Sequence, residues 1–334
     1  MRILTSKVGR TTRIKSDTTL DPGAVKRVLI VRTNHRLGNL LLITPLIQEI
    51  IHTFPNAKVD IISQGFLSRV LFTAYNPVDQ LITLPRKPFK ELGSYLKNGW
   101  KVRRYKYDLA INAVSGSSSG KLYTQLSRAT YKIYGEDNTT ILAAQTDAVH
   151  IAKEQVYVFK DFVSRLGIQP KEGISDLSIS LSNEEIQQGK ARLLEMVDGK
   201  KPVIAIFTFA TGDKCYKPEW WNPFYDLLLQ EFPNHDIVEV LPYENVSQIG
   251  FRAPSYYSKD IREIAAFIKS TQVWVGADCG IMHLASASGA PVIGLFSRTN
   301  KHVYEPFNSR SCSLFTGDLQ HDDIVKAIRS VVTD

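Results

Sequence analysis

The chain has 334 residues, of which 43% are hydrophobic and 22% charged; this is ordinary globular composition, and its length predicts two domains of roughly 150 residues each. No apolar run approaches the ~18–20 residues of a membrane-spanning helix. The formal net charge of +8 is unevenly divided, with 25 Lys+Arg against 12 Asp+Glu in residues 1–165 and 16 against 21 in the rest, so a basic half (+13) precedes an acidic one (−5) and is expected to meet something anionic.

In chain order, residues 1–26 have no apolar segment and no small-residue cleavage site. They read as a loosely held basic arm rather than a secretory signal. VLIVRT, VDIIS, DQLITLP and YDLAINAV then read as strands, with helices beginning near Leu40, Phe66, Phe89 and Ser117. Strands alternating with helices predict a parallel sheet covered on both faces. The stretch RKPFKELGSYLKNGWKVRRYKY carries eight basic residues and one acid, interleaved with Trp100, Tyr105 and Tyr107. Nucleic acid, acidic lipid headgroups or a phosphorylated glycan would each suit it, and so would a solvated helix face. A further helix, EQVYVFKDFVSRLG, ends at Gly167.

The domain reading is an arm at 1–26, a first domain at 27–168, a linker at 169–182 and a second domain at 183–334, whose last helix is a candidate to pack back on the first. The second half repeats the alternation. NEEIQQGKARLLEMV, PEWWNPFYDLLLQEF, DIREIAAFIKS, GIMHLASASG and HDDIVKAIRSVV read as helices; PVIAIFTF, HDIVEVLP, VWVGAD and PVIGLF read as strands. Asp260 and Glu263 have capping-box spacing. Two doubly wound α/β domains follow, with ligand expected beyond the carboxyl ends of the strands, in the cleft between domains. Cys215, Cys279 and Cys312 are far apart and in no Cys-x-x-Cys spacing. That argues against a disulfide framework or a zinc site and for a reducing cytoplasm.

Two junctions carry the chemistry. In VRTNHRLGNLLLITPLIQEI (31–50) a strand meets a helix at a turn holding Arg32, Asn34, His35, Arg36 and Asn39, without a carboxylate. In VWVGADCGIMHLASASGAPVIGLF (273–296) a buried strand ends, Asp278 lies where an N-cap belongs, and Gly280 opens the next helix. Unpaired N–H groups and the positive dipole end there make a seat for a diphosphate, and His283, one turn in, is placed to donate to it. Taken singly, a capping aspartate and a core histidine are the simpler assignments.

The second junction resembles the D-[ST]-G-x-x-H-[LI] signature of the heptosyltransferase family of bacterial glycosyltransferases (glycosyltransferase family 9). The first resembles the same family's arginine-bearing strand, x-x-G-D turn and T-x-P helix, here Arg32, Gly38, Asn39, Thr44 and Pro45. GDKCYKPEWWNPFYDLL, from Gly212, is similar to its K-x-W-P-x-x-x-[FW] landmark, and the ordered set spans about 27–332. The resemblance implies a GT-B type fold of two Rossmann-like domains. The C-terminal one would hold a nucleotide-diphosphate sugar and the N-terminal one a lipid-linked core oligosaccharide at the cytoplasmic face of the inner membrane. It implies that Asp278 holds the donor; Cys279, Gly280 and His283 in the same turn, with Thr208 and Thr211 beside Lys214, are the other expected donor contacts, and Arg32, Arg36 and Gly38 the expected acceptor contacts.

Displacing a nucleoside diphosphate builds negative charge on the leaving phosphate. The expected stabilisers are Lys214, with Lys217 a nearby rival, and the amides at Cys279–Gly280. No D-x-D element follows a strand, so neither a bound metal nor a cofactor is required. The family's base, the aspartate of x-x-G-D, is Asn39 here, and an amide does not take a proton near neutral pH. Three explanations stand. His35 takes the proton, since imidazole titrates near neutrality; or Asn39 orients the acceptor while Asp137, His150 or Glu136 takes it; or turnover is weak. VLPYENVSQIG, SRTN and Cys279 also depart from the family pattern, so the nucleotide and the sugar, heptose or hexose, stay open. No G-x-G-x-x-G turn supports a dinucleotide oxidoreductase. A sugar-nucleotide epimerase and a non-catalytic sugar-nucleotide or glycan-binding protein are the rival readings, and nucleic-acid binding is the weakest.

Overall fold

The computed structural model describes residues 9–85, 91–135 and 139–332 and divides into two compact units, one ending at Ser175 and the other beginning at Asp176. Unit 1 contains β1 (Arg27–Val31), α1 (Leu37–Leu41), α2 (Thr44–Thr53), β2 (Lys58–Gln64), α3 (Leu67–Phe72), β3 (Val78–Leu84) and α4 (Leu92–Arg104). It continues with β4 (Lys106–Asn112), α5 (Ser118–Leu126), β5 (Arg128–Tyr134), α6 (Thr139–Ala143) and α7 (Ile151–Ser164). Its sheet has the order β3-β2-β1-β4-β5, and every pairing is parallel. Strand β1 is buried at all five positions, as a sheet covered on both faces requires. The order reverses direction between β1 and β4, which makes the carboxyl end of that pair the topological switch point.

Two expectations change here. The sheet gains a fifth strand, RATYKIY, whose outer half is too polar to register as one. The described part of the arm, residues 9–26, is held, while residues 1–8 lie outside the described residues. Thr11 Oγ donates to the Tyr134 carbonyl and accepts from the Tyr134 N–H, at 2.9 and 3.0 Å. Thr12 N donates to the Lys132 carbonyl, and Thr12 Oγ accepts from Lys132 N. Leu20 N then donates to the Leu166 carbonyl. Gly9 lies at φ 90°, and a Cβ there would fall 2.4 Å from the Tyr134 ring. Only glycine lets the arm run this close.

Unit 2 contains α8 (Asn183–Leu194), β6 (Val203–Phe207), α9 (Pro218–Glu231), β7 (Asp236–Val240), β8 (Ser255–Tyr256) and α10 (Ile261–Lys269). After these come β9 (Val273–Ala277), α11 (Gly280–Ser288), β10 (Val292–Phe296), α12 (Lys301–Tyr304), β11 (Cys312–Phe315) and α13 (His321–Val332). The order β11-β10-β9-β6-β7-β8 is again parallel throughout and reverses between β6 and β9. Strands β6, β9 and β10 are buried along their whole length. The last helix gives Ile324, Val325, Ile328 and Val331 to this unit's own core, beside Trp221, Phe224 and Val275.

A capping box forms at Ser182 and Glu185, at the start of α8. Asp260 caps α10 through Arg262 N, but Glu263 takes the Ser258 hydroxyl instead, so the pair expected there is only half built. Helices α8 and α10 cross closely: a Cβ on Gly189 would lie 2.3 Å from the Ala266 carbonyl carbon and 2.7 Å from Phe267 N. The Arg262 guanidinium ties the same pair together through Glu185 at 2.5 Å. That hydrogen-bonded ion pair lowers the Glu185 carboxyl to about 2.

Candidate functional site

In unit 2 the switch point gathers the residues picked out from sequence. Strand β6 delivers Thr208, whose side chain turns inward and is 1% exposed. Its hydroxyl donates to Glu239 Oε1 at 2.5 Å and accepts from Gln248 N at 3.0 Å. Thr211 is exposed at the N-cap of the short 3₁₀ turn Gly212–Lys214. The turn brings the Lys214 ammonium 2.6 Å from Asp278 Oδ2. Lys217 begins α9 with its side chain exposed and has no such contact. Of the two candidates, Lys214 is the one that pairs with Asp278 among the described residues.

Asp278 is 5% exposed, and its Oδ2 also accepts from the Thr299 hydroxyl. It is not the cap of α11. Cys279 is, in an extended conformation and without a side-chain hydrogen bond, so the expected cap moves by one residue. Asp278 instead fixes Lys214 and Thr299 beside the first turn of α11. Cys279 is half-buried, and desolvation pushes its thiol up to about 12, so it stays neutral. Gly280 opens α11, and His283 is buried one turn further in. A helix N-terminus and an ammonium beside one another are groups able to seat an oxyanion.

Three residues of this corner were missed in the sequence. Glu239 lies on β7, 0% exposed; burial raises its carboxyl, against the Thr208 hydrogen bond. A lone acid in an apolar strand was its signal. Tyr216 hydrogen-bonds Thr316 at 2.7 Å, and Thr299 lies in the SRTN turn that departs from the family pattern.

In unit 1 the switch point holds the other cluster. Arg32 follows β1 and is 3% exposed. Its Nε donates to the Asn39 carbonyl at 3.0 Å and one terminal nitrogen to Asn39 Oδ1 at 3.3 Å. The other donates to the Ala113 carbonyl. The guanidinium expected to meet an acceptor is thus spent on clamping the turn, because its stem points inward from the strand. Arg36 is exposed at the N-cap of α1, its N–H donating to Asn34 Oδ1 at 2.9 Å. Gly38 is buried inside α1, while His35 and Asn39 are half-buried. Thr33 Oγ meets Ser117 Oγ at 2.6 Å, a tie between the β1 and β4 turns that the sequence did not reveal. His150 is buried and caps α7 through Nδ1, which accepts from Ala152 N at 3.3 Å; that occupies it structurally. Glu136, Asp137 and the first residues of the basic stretch, 86–90, lie outside the described residues.

Among the described residues no group of three or more His, Cys, Asp and Glu side chains is placed to hold a metal, and no helix is long and apolar enough to cross a membrane. The family model of glycosyltransferase family 9 (heptosyltransferase) matches residues 259–328, the segment that carries the Asp278–His283 turn. No curated protein sequence matches the chain. Among solved structures, a glycosyl transferase family 9 protein from Veillonella parvula superposes with a TM-score of 0.76 at 15% identity, covering 94% of this chain and 99% of that one. The E. coli heptosyltransferase WaaC, solved with ADP, gives 0.66 at 14%, covering 91% and 99%. The E. coli ADP-heptose lps heptosyltransferase II gives 0.64 at 13%, covering 92% and 98%. At such identities the likeness establishes the fold, two doubly wound parallel-sheet units.

Proposed function

We propose that this chain, whose residues 259–328 match the family model of glycosyltransferase family 9, moves a sugar from a nucleotide-diphosphate donor to a cell-surface glycan acceptor with inversion and without a metal. The observation that carries the reading is the Lys214–Asp278 pair beside the N-terminus of α11, at the switch point of unit 2. The anomeric carbon exchanges its bond to the diphosphate oxygen for one to the acceptor oxygen. The departing electron pair settles on phosphate, where Lys214 and the α11 amides meet it. ADP in the WaaC structure supports a nucleotide diphosphate as the leaving group, with heptose or hexose as the sugar. The basic unit 1 supports an anionic glycan acceptor at a membrane surface.

The acceptor proton is assigned to His35. Asn39 accepts a hydrogen bond from Arg32 and so orients the turn rather than titrating. Incubating the protein with nucleotide sugars, with and without glycan acceptor, tests this reading. Consumption only with acceptor, unchanged by EDTA, is expected. Consumption without acceptor would make the protein an epimerase, and none with any pair would make it a binding protein. His35→Ala is expected to lower turnover by about a hundred- to ten-thousandfold at unchanged donor affinity; retained activity removes His35 from the mechanism. Asn39→Asp is expected to fold, since Arg32 at 3.3 Å would pair with the carboxylate, and to turn over at least as fast.

A further inference from the structure

Unit 1 carries a second concentration of positive charge, away from the turns described above. A pocket of about 640 Å³ lies where the arm passes the end of α7, and Arg10, Arg13, Lys15, Ser16 and Arg165 line it with no acidic side chain. Arg165 shares its charge with Asp161 at 2.8 Å. Arg10, Arg13 and Lys15 have no carboxylate partner among the described residues. The Thr11 and Thr12 hydrogen bonds to Tyr134 and Lys132 hold the arm at the pocket itself, and the Leu20–Leu166 bond holds it beyond. These cations are therefore presented from an anchored segment rather than a free tail.

Like charges gathered around one concavity repel one another, and a bound oxyanion offsets that cost. Two guanidinium forks match phosphate geometry, an ammonium adds a point charge, and hydroxyls donate to the remaining oxygens. From this arrangement we infer a binding site for phosphate groups in the arm pocket, separate from the donor and acceptor turns. The phosphate is that of a lipid headgroup or of a soluble phosphorylated compound, and the chemistry is the same for both.

Co-sedimentation of the full chain with phosphatidylcholine vesicles containing phosphatidic acid, beside titration with inorganic pyrophosphate, tests the site and separates the sources. Arg10→Ser/Arg13→Ser/Lys15→Ser is expected to weaken binding by about a hundredfold, since each cation near an anionic surface counts for about a factor of five. Arg165→Gln, which leaves the arm's sequence intact, is expected to weaken it by about fivefold. The charge-matched control Lys190→Ser/Lys200→Ser/Lys259→Ser, on exposed positions of unit 2, is expected to change it less than about threefold. Loss confined to vesicles assigns a lipid phosphate; loss confined to pyrophosphate assigns a soluble one. Absence of binding to both probes, or equal loss in the control, overturns the site.

Discussion

Lys214→Met is expected to slow sugar transfer by about a hundred- to a thousandfold, the usual cost of removing one preorganised donor from a developing oxyanion. Lys214 is held at 2.6 Å from Asp278, itself 5% exposed and bonded to Thr299. The ammonium is therefore in place before charge develops, and little reorganisation is needed during the reaction. Because the phosphate gains charge only as the bond breaks, kcat should fall further than donor affinity. Steady-state kinetics together with donor titration measure both. A rate within a few-fold of wild type would place the leaving-group cation elsewhere. Thr299→Val, which removes only the second partner of Asp278, should give a smaller loss in the same direction.

Gly189→Ala should produce the largest loss of stability. On propensity alone the change favours a helix by about 1 kcal/mol. Here the new methyl would meet backbone atoms of Ala266 and Phe267 at 2.3 to 2.7 Å. Backbone cannot swing aside as a long side chain does, and α10 is itself held in place by buried Ile264, Phe267 and Ile268. The helices must separate, which costs about 3 kcal/mol at the upper end of overpacking effects, or roughly 6–12 °C in melting temperature for a domain of this size. A melt at or above that of wild type would show that α8 is not tightly seated.

The long parallel strands were legible because burial on both faces forces continuous apolar runs such as RVLIV and VIAIF. The edges were not. Strand β8 has two residues and β11 four, too few to show a period, and β5 alternates exposed Arg128 and Thr130 with half-buried neighbours. The two chemical junctions stood out because strand-to-helix turns at switch points concentrate polar residues between apolar ones. Side-chain direction within them was not readable. Arg32 looked available and is a clamp; Asp278 looked like a cap and instead holds Lys214. Glu239 was hidden because a single acid in a strand does not reveal whether it faces water or a threonine.

The arm's attachment has a consequence for the order in which the molecule assembles. Thr11 bonds to Tyr134, 123 positions further along, so during synthesis it waits for a partner that does not yet exist. Closing so long a loop adds little free energy, about 0.6 kcal/mol for each doubling of its length; the delay is one of time. Residues made early in translation are thus among the last of their unit to settle.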